Sequence, residues 1–313
     1  MPVADDYMVY PHRRYGMDQD RYAWRPAVDR LAMQWPSGAA VACMIVVPLE
    51  FHMLNPSGQP FKHPGAMVTP YPDLRHYTTR DYGNRVGVFR ILRELKAAGL
   101  SATFPINAAL LPRVRPLVQA LIADGHEIAA YGLDTDHIHW GGLDEATERQ
   151  WVQSVRAAFD KAELTPTTWM SPARQQSFRT LDLIGEAGFQ TCLDWEQDSV
   201  PVAMKTQGPC VVAAPLMNEL DDRLLLHDRR QTEEEWAIQV IEAKDYLKSE
   251  FGSRGGQMFG FTLTPYLVGQ PFRIWALRKI LGDLSGDAQV WTATAQAITA
   301  ASGLLYARGE IRP

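Results

Sequence analysis

Cysteine is scarce in the 313-residue chain: Cys43, Cys192 and Cys210 are an odd number, widely spaced, and each sits in an apolar stretch. That pattern suits buried reduced thiols rather than a disulfide framework, and none has the basic neighbours that stabilise a thiolate. No apolar run approaches the roughly 20 residues needed to span a bilayer. The N-terminus, with Asp5, Asp6, His12, Arg13 and Arg14, lacks the apolar core of a signal peptide. A cytoplasmic protein without a membrane partner is expected. An excess of basic charge is missing too: 31 Lys and Arg face 36 Asp and Glu, which removes the electrostatic footprint of a nucleic-acid partner. There is no P-loop, no strand-turn-helix GxGxxG, no internal repeat and no low-complexity tract, so nucleotide-binding folds gain no support.

What the sequence does contain is alternation. Residues 1–39 are polar and aromatic without a clear period and read as an N-terminal arm; residues 40–313 read as one domain. From Val41 onward, short apolar runs alternate with amphipathic stretches, the pattern of βα units around a parallel sheet. The runs 40–49, 101–106, 127–131, 167–170, 190–194, 210–215, 258–264 and 290–292 are predicted strands. Between them, 85–98 follows Asn84 as a candidate N-cap and stops at Gly99. The stretches 144–162 and 232–251 open on acidic first turns that suit the helix dipole. The stretch 52–83, broken by Pro56, Pro60, Pro64, Pro70 and Pro72, fits neither element and reads as an active-site wall or lid, or else a surface excursion. The expected fold is α/β: a closed or nearly closed, deformed (β/α) barrel of parallel strands with outer helices.

In such barrels the reactive groups project from the C-terminal strand ends. That rule nominates Glu50 and His52, Asn107, Tyr131 with Asp134, Asp136, His137 and His139, then Arg174, then Asp194, Glu196 and Asp198, then Asn218 and Glu219, and finally Thr264. Glu50 ends a mainly apolar strand, a costly place for a charge unless it is paired or used. His52, His137 and His139 are metal-ligand types, though an HxH spacing on a loop is a weak signal. Arg174 suits either a substrate clamp or an ion pair, the 194–198 acids suit a solvated loop as well as a site, and His126 suits a structural role.

Several segments, taken in this order, carry a resemblance. They are Leu49-Glu50-Phe51, the stretch from Arg80-Asp81-Tyr82-Gly83-Asn84 to Gly87, Thr103-Phe104 leading to Asn107, and Gly125-His126-Glu127-Ile128. Trp169-Met170-Ser171-Pro172, Asp194-Trp195 with Asp198 and Pro201, and Pro265-Tyr266-Leu267-Val268-Gly269-Gln270-Pro271-Phe272-Arg273 continue the series. From about Trp35 to Trp291 the chain resembles the polysaccharide deacetylase (NodB-homology) superfamily, in detail its branch of cofactor-free allantoinases and cyclic imide hydrolases. The resemblance implies a deformed barrel of about seven or eight strands. Metal-dependent members carry an Asp pair on the first strand and an HxxxH pattern on the third. Here those positions read Glu50-Phe51 and Tyr131 with Thr135, which implies no metal cofactor. The allantoinase-like branch keeps histidines where this chain has Tyr131 and Thr264, so the substrate stays open and His52 and His137 are candidate replacements.

The resulting reading is a hydrolase of a carbon-nitrogen bond in a small amide, cyclic imide or ureide. Glu50 is the expected general base, its pKa raised by partial burial; Tyr131 and Arg174 stabilise the oxyanion, and His52 or His137 protonates the leaving nitrogen. Arg174, Asn107, Asp198, Asn218 and Thr264 are the expected substrate contacts, and Glu50, His52, Tyr131, Arg174 and Thr264 should line one pocket. The alternatives are a metal-dependent deacetylase of N-acetyl sugars, with ligands from His52, His137 and His139, and a non-catalytic binding paralogue. The aromatic arm, with Tyr7, Tyr10, Tyr15, Tyr22 and Trp24, points to a homo-oligomer, a dimer or tetramer, that buries these rings across a subunit boundary.

Overall fold

The apolar run after Ala40 becomes strand β1 (Val41–Val46), all six of its residues buried. The computed structural model describes residues 18–66 and 69–305. In it β1 is followed by β2 (Thr103–Ile106), β3 (Glu127–Ala130), β4 (Thr168–Trp169), β5 (Thr191–Cys192), β6 (Val202–Met204), β7 (Val211–Ala213), β8 (Gln257–Thr262) and β9 (Val290–Thr292). They form one curled sheet in the order β6-β7-β5-β4-β3-β2-β1-β8, with β9 beside the first half of β1. Pairing is parallel throughout except for β6 against β7. All eight expected strands are present. The unexpected one, β6, is three half-buried or buried residues between Pro201 and a polar turn, too short to show a period.

The sheet stops short of closing. β8 pairs with β1 alone, and its outer edge is served by loops and side chains. Met258 N donates to Ser199 O (2.7 Å), and Met217 N to Gly260 O (3.2 Å). Two consecutive acids take the next outward amides: Thr262 N donates to Asp221 Oδ1 at 3.0 Å and Thr264 N to Asp222 Oδ2 at 2.7 Å.

Helices cover the outer face, and their ends follow the expected chemistry. Asp144 caps Glu145–Lys161 by accepting from Thr147 N (2.9 Å), and Thr232 with Glu235 forms a reciprocal capping box ahead of Glu233–Ser249. The third helix departs from expectation. The chain becomes helical at Leu74, where Asp73 accepts from His76 N just past the last proline, and passes through a π turn (Gly83–Gly87) into Val88–Ala98. Asn84 is therefore inside a helix and not at its cap; its amide serves the site described below. The motif glycines sit where this helix meets the segment after β8. A Cβ on Gly87 would lie 2.0 Å from Pro265 O, and one on Gly269 would lie 2.5 Å from Gly87 Cα. Only hydrogen fits between these backbones.

All three cysteines are free thiols, two buried and one half-buried. Among the described residues no helix is long and apolar enough to cross a membrane. Of the arm aromatics, Tyr7, Tyr10 and Tyr15 lie outside the described residues. Tyr22 packs edge-on against Trp195 of its own domain at 6.1 Å, beside the Arg21–Asp182 ion pair (2.7 Å), whereas Trp24 is 71% exposed.

Candidate active site

Leu49 still bridges Ile106, so the turn out of the sheet falls at Glu50 and sets its side chain at the mouth. Three contacts hold that turn. Asn84 Nδ2 donates to Glu50 O (2.8 Å), Phe51 N donates to Asn107 Oδ1 (2.7 Å), and Asn107 Nδ2 donates to Tyr131 O. Asn107 is wholly buried. It is not a substrate contact, as expected from the sequence, but the tie that joins the ends of β1, β2 and β3.

The Glu50 carboxylate lies between donors. Tyr131 OH donates to Oε1 at 3.2 Å, His52 Nε2 lies 3.0 Å from Oε2, and His63 Nε2 lies 3.7 Å from Oε1. Burial raises the carboxyl pKa, but the hydrogen bond from His52 and the fields of His63, His52 and Arg80 outweigh it and hold the group at about 2. Burial alone, the expectation from sequence, has the wrong sign here because it ignores the neighbouring His52 and two groups contributed by more distant positions, His63 and Arg80. Tyr131 is pushed well above its ordinary pKa by burial and by Glu50, which keeps it a donor, and burial lowers His63 to about 4, so it is neutral near pH 7.

Across a cavity of about 270 Å³ stands the opposite wall. Ala173 and Arg174 both have left-handed backbones (φ 58° and 52°), a costly pair for non-glycine residues that turns the Arg174 guanidinium into the cavity. It donates to Leu216 O and pairs with Glu196 Oε1 at 2.9 Å, with Asp221 Oδ2 at 3.7 Å. Burial raises Asp221 to about 6 against the pull of Arg174, and raises its neighbour Asp222 to about 7. Asp194, Asn218, Arg223, Thr264 and Tyr266 also line the space.

Glu50, Tyr131, Arg174, Asn218 and Thr264 are thus brought together as expected from their strand ends. His52 is not on the cavity wall. It touches Glu50 from the side facing the 52–73 loop, where its ring meets His76 at 5.7 Å. His137 and Asp198 are elsewhere: Asp134 takes His137 Nδ1 at 2.8 Å with the ring edge-on to Trp151, and Asp198 pairs with Arg30. Their strand-end positions are correct, but local partners turn both side chains away. Sequence reasoning missed His63, Asp221, Arg223 and Tyr266. The signal for Asp221 was legible, since two consecutive acids between Leu220 and the apolar Leu224-Leu225-Leu226 are improbable without a task.

The residues at the family's metal positions do not fit a divalent ion. Phe51 offers no donor and its ring faces the Arg113 guanidinium at 4.9 Å, while Thr135 Oγ1 donates to Phe51 O at 3.0 Å. The ligands of the alternative deacetylase reading are dispersed: His139 is buried against Glu148 (3.0 Å), His137 is held by Asp134, and His52 lies beside Glu50. Among the described residues, no group of three or more His, Cys, Asp or Glu is arranged to hold a metal ion.

Residues 71–192 match the polysaccharide deacetylase family model. No curated protein sequence matches the chain. Among solved structures, a probable polysaccharide deacetylase from Pseudomonas aeruginosa PAO1 superposes with a TM-score of 0.75 at 22% identity, covering 89% of this chain and 97% of that one. The PuuE allantoinase superposes with a TM-score of 0.74, also at 22% identity and with the same 89% and 97% coverage. Residues 71–192 thus resemble the polysaccharide deacetylase family model, and the chain shares the deformed (β/α) barrel fold of these structures.

Proposed function

We propose that the protein is a cytoplasmic hydrolase that opens a non-peptide carbon-nitrogen bond of a small amide, cyclic imide or ureide, with Glu50 as base and without a metal. The observation that carries this reading is the Glu50 carboxylate aimed into a small cavity opposite the Arg174 guanidinium, at positions where the metal-dependent chemistry of the family has lost its ligands. A cavity near 270 Å³ has room for a small heterocycle. Its acceptors, Glu50, Asp194 and Glu196, suit a ligand rich in N–H groups. The likeness to an allantoinase fits the same class.

Glu50, held at about 2, is ionised near pH 7, yet a carboxylate held so low is a weak base. Its contribution is positional: His52 fixes one oxygen, leaving the other, shared with Tyr131, to orient a water and take its proton as the carbonyl is attacked. Tyr131 and Arg174 then face the oxygen on which charge develops. Glu50→Gln, folded as judged by circular dichroism, should lose on the order of a hundredfold or more in turnover of a cyclic imide or ureide. Full retained activity would remove Glu50 from the mechanism. The same reading takes the working form to be a homo-oligomer, dimer or tetramer, supported by the exposed apolar side chains of Trp24 (71%), Val28 (78%) and Leu31 (92%).

A further inference from the structure

We infer that Asp221 is the proton donor to the leaving nitrogen, acting across the cavity from Glu50; this deepens the hydrolase reading and rests on it. The geometry of its carboxyl group carries the argument. Oδ1 is committed as the acceptor of Thr262 N at 3.0 Å, and the main chain is pinned by Asp221 N donating to Asn218 O at 3.1 Å. Oδ2 lies 3.7 Å from Arg174 Nη2, beyond hydrogen-bond reach, and the Thr262 side chain and Arg223 are the carboxyl group's other polar neighbours. One oxygen is therefore held by a backbone amide, and the carboxyl group lines the same cavity as Glu50, where its proton can be passed on.

The surroundings favour that proton. Asp222, the next residue, is fully buried with Oδ1 lacking a partner among the described residues, so two ionised carboxylates side by side would be costly. The other charged groups lining the cavity are Arg174 and Arg223, against Glu50, Asp194 and Glu196. Burial holds Asp221 at about 6 while its donors hold Glu50 at about 2, so one cavity keeps one carboxyl group ionised and a second able to protonate. The histidines do not fill this role: neutral His63 has no proton to spare at its Glu50-facing nitrogen without becoming an anion, and His52 is on the far side of the carboxylate.

The cycle balances. Water loses a proton to Glu50 as its oxygen bonds to the carbonyl carbon. The tetrahedral intermediate then breaks its C–N bond as Asp221 passes its proton to the nitrogen, leaving an Asp221 carboxylate that Arg174 stabilises. Transfer of the Glu50 proton to Asp221 restores both groups, and the net reaction is addition of one water.

The test compares an amide-type nitrogen, which needs a proton to leave, with an aryloxide, which does not. Wild type, Asp221→Asn and Glu50→Gln are assayed on succinimide, hydantoin and p-nitrophenyl acetate. Asp221→Asn keeps an acceptor for Thr262 N, and its ester turnover reports that it is folded. The expected result is a loss on the order of a hundredfold or more on the nitrogen substrates, less than about threefold on the ester, and loss on both for Glu50→Gln. Wild-type turnover of the imide should fall as pH rises above about 6, and that limb should vanish in Asp221→Asn. Undiminished imide turnover in Asp221→Asn, or an equal loss on both classes, overturns the assignment and leaves the Glu50 reading standing. A wild type inert toward all three compounds overturns the hydrolase reading and the donor role together.

Discussion

Asp222 should cost the protein stability at alkaline pH, and removing its charge should restore it. The carboxyl group is wholly buried, accepts from Thr264 N with Oδ2, and leaves Oδ1 without a partner among the described residues. Burial moves it from 3.8 in the unfolded chain to about 7. A carboxyl whose folded pKa is raised contributes most below its unfolded pKa, and that contribution is lost as pH rises through the folded value. A shift of roughly three units is worth at most about 4 kcal/mol at about 1.4 kcal/mol per unit, and local relaxation brings the expected effect nearer 2 kcal/mol. Asp222→Asn keeps the acceptor for Thr264 N and places an uncharged amide at the unpartnered site. Thermal melts followed by circular dichroism should already place the variant's midpoint about 1 °C higher at pH 5, where part of the loss between 3.8 and about 7 has accrued. At pH 8.5 the variant should melt about 4 °C higher. A midpoint difference that is the same at both pH values would refute the reasoning, because it would show that Asp222 does not change its protonation over that range.

Two further outcomes follow from packing. Gly87→Ala should cost more than about 3 kcal/mol, or abolish soluble expression, because its Cβ would stand 2.0 Å from Pro265 O in backbone that has no room to retreat; an unchanged melting point would show that the two segments separate readily. Light scattering on the full chain at micromolar concentration should give a dimeric or tetrameric mass, and a monomeric mass would end the case for assembly through the arm.

The barrel was legible because its strands are apolar runs punctuated by Gly and Pro, and each of the eight runs pairs as its pattern implies. β6 was not, since three residues at a sheet edge carry no period. The helix from Leu74 was hidden by the prolines before it, which suggested that the irregular stretch continued, and by Asn84, whose capping chemistry is instead spent on the Glu50 carbonyl. The rule of strand ends found Glu50, Tyr131, Arg174, Asn218 and Thr264 because strand direction alone sets where they emerge. It failed for His63 and Asp221, which arrive on loops, and for Arg223, which opens the π turn Arg223–Asp228; the path of all three depends on tertiary contacts. It also nominated His137 and Asp198, which emerge in the expected place but are captured by Asp134 and Arg30. The ionisation of Glu50 was misjudged for a related reason: its apolar strand is visible in sequence, whereas His63 and Arg80 join His52 beside it only in three dimensions.

The outer edge of β8 is, in another light, a defence. An unpaired strand at the rim of a sheet invites any extended peptide to add to it, and this is a common origin of aggregation. Here the amides of Met258, Thr262 and Thr264 are already engaged, two of them by acids, so an intruding chain would have to evict a carboxylate at successive positions and meet negative charge as it did so. A further β-strand in the same place would have sealed the barrel equally well, but with peptide groups of fixed protonation. By using Asp221 and Asp222 instead, the chain has built that stretch of wall from groups that can change their protonation, one of which, Asp221, also lines the cavity.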